Sequence, residues 1–200
     1  MQDLKRAAAA AATPPHDDWS AAERVEDTIG AIPRRFRWAT LGAPALLERV
    51  KPASAVQSAQ DALHAAFTIV LTGGAGNGKT SLGCALVRRM AKLTGKVGHY
   101  ADCIELAYAR KMHPLGKGEA PEVLAAMNAG VLFLDELGAE QGVDQTVEQI
   151  IRYRHNHERP TIYGTPHGAA SLASRYGDGV ARRVYEGATI IELGISKGAT

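Results

Sequence analysis

Residues 67–81 read FTIVLTGGAGNGKTS, an apolar run that breaks into a glycine-rich turn and resumes at Gly78-Lys79-Thr80. The run predicts a strand, the turn a phosphate-binding loop, and Thr80-Ser81 the opening of a helix. Gly73, Gly78, Lys79 and Thr80 satisfy the spacing G-x-x-x-x-G-K-[ST]. Gly73, Gly74, Gly76 and Gly78, with Ala75 and Asn77 between them, allow backbone turns barred to other residues, so that successive N–H groups point inward at phosphate oxygens. The helix that follows adds its positive end. Lys79 supplies a point charge for the β- and γ-phosphates, and the Thr80 hydroxyl a ligand for Mg2+. A nucleoside triphosphate such as ATP, with its magnesium, is the ligand this pattern predicts.

Two hundred residues suffice for one well-cored α/β domain, expected over 31–200, with an N-terminal arm over 1–30. The net charge is only +2, from 23 basic and 21 acidic residues, so any nucleic-acid contact must come from local clusters. Cys84 and Cys103 have neither metal-ligand spacing nor a secretory context, and read as reduced core residues. Lys5-Arg6 and the alanines after them imitate a signal peptide only faintly, because His16-Asp17-Asp18 follows at once; a cytoplasmic chain is expected. No apolar run approaches the roughly 20 residues of a membrane helix.

Upstream, residues 1–18 suit a frayed helix or disordered tail. Trp19 to Thr28 has helical spacing, with Ser20 and Glu23 placed as a capping box. The basic, aromatic-bearing connector Ala31 to Leu41 is either a linker laid over the core or a strip against the adenine, with Phe36 and Trp38 near the base. Ala53 to Ala66 reads as a helix. Downstream come a helix from Thr80 to Leu93, a strand from Lys96 to Asp102, a short helix from Ile104 to Met112 ending in Arg110-Lys111, and a helix from Pro121 to Asn128.

Val131-Leu132-Phe133-Leu134-Asp135-Glu136 is the second informative stretch. Four apolar residues in a row predict a strand buried on both faces, with two carboxylates where it emerges. Beside the phosphate loop, Asp135 would hold magnesium and Glu136 would activate the attacking water. Thr146 to Asn156 has helical spacing, with Arg152, Arg154 and His155 toward its negative end. Thr161 to Thr165 and Thr189 to Leu193 read as further strands. The alternation implies a doubly wound parallel sheet with ligands at the strand ends.

The order of these pieces resembles the AAA+ ATPases, and within them the DnaC-like helicase loaders and IstB-like transposition helpers. The resemblance covers about Ile32 to Leu193 and rests on the connector, the Walker A loop at 73–80, VLFLDELG at 131–138, RYRHNHERPTIYGTP at 152–166 and YGDGVARRV at 176–184. It implies an AAA+ P-loop fold with the helical lid reduced or absent. It also implies self-assembly through the ATP interface, with Arg183 as an arginine finger reaching a neighbour's γ-phosphate and Arg182 able to share or replace it. The Ile104–Met112 helix takes the place of an element facing a central channel, which makes Arg110 and Lys111 contacts for single-stranded DNA. Two departures stand out. Where family members often carry a polar residue that orients the attacking water, this chain has Pro166, so Thr165 or His167 must substitute or hydrolysis is slow. Bacterial loaders also carry an N-terminal domain that grips the helicase, whereas only about thirty residues precede the connector here.

The reading expected is an ATP-dependent loader of a replicative helicase. The alternatives are a transposition helper with a transposase partner, a small-molecule kinase using the same loop, and a nucleotide-gated module that hardly hydrolyses.

Overall fold

The computed structural model describes residues 20–63, 67–140 and 145–194. Five strands form one sheet: β1 (Thr68–Gly73), β2 (Gly98–Asp102), β3 (Val131–Asp135), β4 (Thr161–Thr165) and β5 (Thr189–Leu193), in the spatial order β2-β3-β4-β1-β5. Every pairing is parallel. Parallel neighbours need crossover connections, and helices supply them on both faces.

The alternation of side chains along each strand divides the core in two. Ile69, Leu71, Val131, Phe133 and Ile162 pack against α2 (Pro44–Arg49), α3 (Ser54–Ala62) and α4 (Lys79–Thr94), while α1 (Ala21–Ala31) lies on α4 and β2. Val70, Leu132, Leu134 and Tyr163 pack on the other face. There they meet α5 (Cys103–Met112), α6 (Pro121–Asn128), α7 (Thr146–Asn156), α8 (Ala169–Tyr176) and α9 (Asp178–Tyr185). All five residues of β3 and of β4 are buried, as a run of apolar residues in a covered parallel strand requires.

Element boundaries moved by tertiary contacts are informative. The capping box at Ser20 and Glu23 is present, but α1 runs on to Ala31, past the expected boundary between arm and domain. Thr28 is the reason: buried, its hydroxyl accepts the Gly98 N–H at 2.8 Å and joins α1 to the edge strand β2. The same helix also packs on α4. Residues 1–19, including Trp19, lie outside the described residues, as do residues 64–66 at the end of the helix expected to reach Ala66. Cys84 and Cys103 are both free and buried.

Arg154 corrects its expected role. The side chain does not serve the dipole of its own helix but turns into the protein, fully buried. Its Nη1 donates to the carbonyls of Ala126, Met127 and Ala129, its Nη2 to Pro160 and its Nε to the Thr161 hydroxyl. It thus satisfies the orphan carbonyls at the end of α6, where β3 and β4 begin. Burial lowers its pKa to about 9, still high enough to keep the guanidinium charged at neutral pH.

Candidate nucleotide-binding site

The phosphate loop links β1 to α4 at the C-terminal end of the sheet. Gly78 caps α4 with φ 91°, a left-handed conformation that favours glycine, and a side chain there would run into the Arg49 carbonyl at 2.9 Å. The loop is braced from outside. The Lys51 N–H donates to the Asn77 carbonyl, and the Asn77 amide reaches the Leu193 carbonyl at 3.4 Å. Lys79 is buried, and its ammonium donates to the carbonyls of Gly73 at 2.8 Å and Gly74 at 3.0 Å. The positive charge is therefore held at the loop, where an anion would meet it. Gly74, Ala75 and Gly76 are exposed, while Ser81 is buried under the first turn of α4.

Asp135 ends β3 beside this loop. The Thr80 hydroxyl and the Glu136 N–H lie close enough to its carboxylate to favour the ionised form, which sets the two predicted metal ligands near each other. One oxygen, Oδ1, is buried with no hydrogen-bond partner among the described residues. Burial pushes the acid up to about 6, aided by the nearby carboxylates of Glu136 and Asp102 and opposed by the Thr80 hydroxyl. The carboxylate has room because position 164 is glycine: a Cβ there would stand 2.4 Å from Oδ1. A buried, unsatisfied carboxylate oxygen next to a hydroxyl is an oxygen donor set that suits a hard divalent cation such as Mg2+.

Glu136 has φ 53°, a conformation few non-glycine residues adopt. The turn after it is pinned to β4 on both sides. The Leu137 N–H donates to the Gly164 carbonyl at 2.8 Å, and the Thr165 hydroxyl donates to the Leu137 carbonyl at 2.7 Å. Backbone strain held in place by neighbours is a recurrent feature of working sites. At the end of β4 the Thr165 hydroxyl donates its proton to Leu137, and the His167 Nδ1 pairs with the Ser171 hydroxyl at 3.2 Å.

Other expectations separate. The Phe36 ring is packed in the core at 9% exposure, with the Arg35 guanidinium 4.5 Å from its centroid. Trp38 is partly buried, with Arg49 over its ring, and Arg49 and Val50 abut the phosphate loop. The Arg49–Lys51 wall carries no sequence motif and was not foreseen. Arg182 pairs with Glu186 on its own helix. Among the described residues, the Arg183 guanidinium hydrogen-bonds only the Gly179 carbonyl, at 2.7 Å, and its Nε has no partner. Arg110 is partly exposed. Its guanidinium bonds Gln149 at 2.7 Å and pairs with Glu119 at 3.1 Å, so it is committed within the fold, whereas Lys111 is exposed. Beside them Ile104, Tyr108 and Met112 line one exposed helical stripe along a groove of 840 Å³.

An all-parallel sheet in this order, with a phosphate loop after its first strand and a carboxylate pair after the third, is the fold of the AAA+ P-loop ATPases. Among solved structures the chain is similar to the DnaC helicase loader, at 26% identity, TM-score 0.68, over 81% of this chain and 100% of that one. It is similar to DnaI at 23% identity and TM-score 0.64, over 81% of this chain and 94% of that one. It is also similar to the replication initiator DnaA bound to AMPPCP and single-stranded DNA, at 21% identity and TM-score 0.61, over 82% of this chain and 51% of that one. These likenesses show an AAA+ fold similar to that of the DnaC helicase loader. No protein-family model matches the chain, and no curated protein matches it by sequence. Among the described residues no helix is long and apolar enough to cross a membrane.

Proposed function

We propose that this chain is an ATPase of the helicase-loader type, which binds ATP with Mg2+, assembles through its nucleotide interface on single-stranded DNA, and acts on a replicative helicase. The observation that carries the reading is Asp135 beside Thr80, with its Oδ1 buried and without a hydrogen-bond partner among the described residues. In it Lys79 and the loop N–H groups hold the phosphates, and Thr80 and Asp135 hold the metal, which would neutralise charge on them. Glu136 takes a proton from the attacking water. Arg183 acts in trans, because its guanidinium meets no acid among the described residues and ends in an unpaired Nε. The likeness to DnaC supports the loader role, and Lys111 with the Tyr108 stripe offers the surface for single-stranded DNA.

Steady-state ATP hydrolysis tests this, measured alone, with single-stranded DNA and with duplex, across protein concentrations. A rate per subunit that climbs with concentration and with single strands is the expected result, and Lys79→Ala abolishes nucleotide binding. Stimulation by duplex alone would turn the reading to a transposition helper. A second reading, a nucleotide-gated switch with weak hydrolysis, is favoured by the end of β4, where Pro166 offers no donor and the Thr165 hydroxyl is spent on Leu137. Tight ATP binding with a rate near zero under every condition would select it.

A further inference from the structure

The turn that follows Asp135-Glu136 ends at Glu140, and Glu140 is 2% exposed. A buried carboxylate is costly unless it is paired, and apolar residues of similar volume would often serve stability as well. Glu140 is paired with two consecutive residues at the end of α8. The Tyr176 hydroxyl donates to its Oε1, the Arg175 Nε lies 3.5 Å from the same oxygen, and the Arg175 Nη2 donates to its backbone carbonyl. Burial and the adjacent carboxylate hold the Tyr176 hydroxyl well above the usual phenol range, so it stays a donor. Immediately after Tyr176 the chain bends at Gly177, with φ 86°, and enters α9, the helix that carries Arg183.

The far end of α9 is fastened as well. The Tyr185 hydroxyl donates to the His167 carbonyl at 2.7 Å, and the His167 N–H donates to the Thr165 hydroxyl, which holds Leu137. Both ends of the Arg183 helix are thus tied to the segment that carries Asp135 and Glu136. Between those ties the Arg183 guanidinium makes one hydrogen bond among the described residues, to the carbonyl four residues back.

We infer that the Glu140–Arg175–Tyr176 cluster is a positioning latch, which holds the helix presenting Arg183 in place against the same subunit's Asp135–Glu136 turn. The inference rests on the trans role proposed for Arg183. Glu140, Arg175 and Tyr176 touch no nucleotide in this scheme and act through Arg183.

Mixed assemblies test it. An Arg183→Ala protein has an intact nucleotide site and no finger; a Lys79→Ala protein has a finger and no nucleotide. Combined on single-stranded DNA, the two restore ATP hydrolysis at the mixed interfaces. The latch is then cut with Glu140→Met and Tyr176→Phe together, which replaces both partners by apolar groups of like shape. Placed in the Lys79→Ala chain, the double substitution is expected to lower the restored rate about tenfold or more, since small misplacement of a catalytic group is enough to do so. Placed in the Arg183→Ala chain, it leaves the restored rate within about twofold. Titration with a fluorescent ATP analogue checks that the Arg183→Ala chain carrying the cut keeps its nucleotide affinity, and a thermal melt checks that both carriers stay folded. A loss confined to the Arg183→Ala chain, an equal loss in both, or no loss in either overturns the latch. If the unmodified pair restores nothing, the trans role of Arg183 falls, and the latch falls with it.

Discussion

Arg154 and Asp135 are both buried ionisable side chains against the same sheet, one where β3 and β4 begin and the other where β3 ends. Arg154 is matched with acceptors at Nε, Nη1 and Nη2, all of them carbonyls or a hydroxyl and none of them a charge. Asp135 is left with one buried oxygen unpartnered and a pKa raised to about 6. Among the described residues the Arg183 Nε likewise has no partner. Full satisfaction marks a group whose work is done once the chain has folded. A group the fold leaves short keeps its interaction energy for something that arrives later.

The largest effect that would sharpen this contrast is on turnover. Arg183→Ala is expected to lower kcat for ATP by about a thousandfold or more, the scale of an arginine finger, in a steady-state assay at assembling concentrations. Its urea midpoint should hardly move. A protein that lost stability instead of turnover would put Arg183 in the class of Arg154.

Arg154→Met should do the reverse, costing about 3–5 kcal/mol in urea unfolding because several buried acceptors lose their donor at once. Nucleotide affinity of the folded fraction should stay as it was. Arg154→Lys should recover only part of the loss, since one ammonium cannot span the acceptors that a planar guanidinium reaches.

Asp135→Asn addresses the unsatisfied end. The fold raises this carboxyl from the ordinary 3.8 to about 6, so it disfavours the ionised form. The penalty is absent below about pH 4, grows between there and about pH 6, and is complete above. At pH 8 without nucleotide, Asp135→Asn should therefore be more stable than the parent by about 1–3 kcal/mol, with the gap closing by pH 4. Hydrolysis should be lost at every pH. A substitution that destabilised the protein at pH 8 would mean that the fold satisfies Asp135 after all.

The smallest expected effect is at Thr161, whose hydroxyl accepts from the Arg154 Nε at 2.9 Å. Thr161→Val keeps the shape and the strand propensity and leaves that N–H unpaired, for a cost of about 1 kcal/mol by thermal or urea unfolding. No loss would show that the remaining acceptors hold Arg154 without it.

The sequence by itself determined the sheet, the phosphate loop and the carboxylate pair. These are local patterns: an apolar run before G-x-x-x-x-G-K-T, four apolar residues before Asp135-Glu136, and helical spacing between the strands. Each is dictated by neighbours in the chain, so each can be read without a fold. What only the tertiary structure decided depends on pairs far apart in sequence. Phe36 and Trp38 stood equally near an expected base, and packing put Phe36 into the core under Arg35. Arg110 and Lys111 were one basic pair, and Glu119 with Gln149 claimed the first and left the second in solvent. Arg152, Arg154 and His155 were one basic helix end, and the carbonyls at the end of α6 drew in Arg154. Thr165 and Gly164 acquired their roles from Leu137 and Asp135, residues nearly thirty positions earlier in the chain. A charged or polar side chain adopts the partner that the fold brings within hydrogen-bond reach, and composition and spacing along the chain carry no record of that distance.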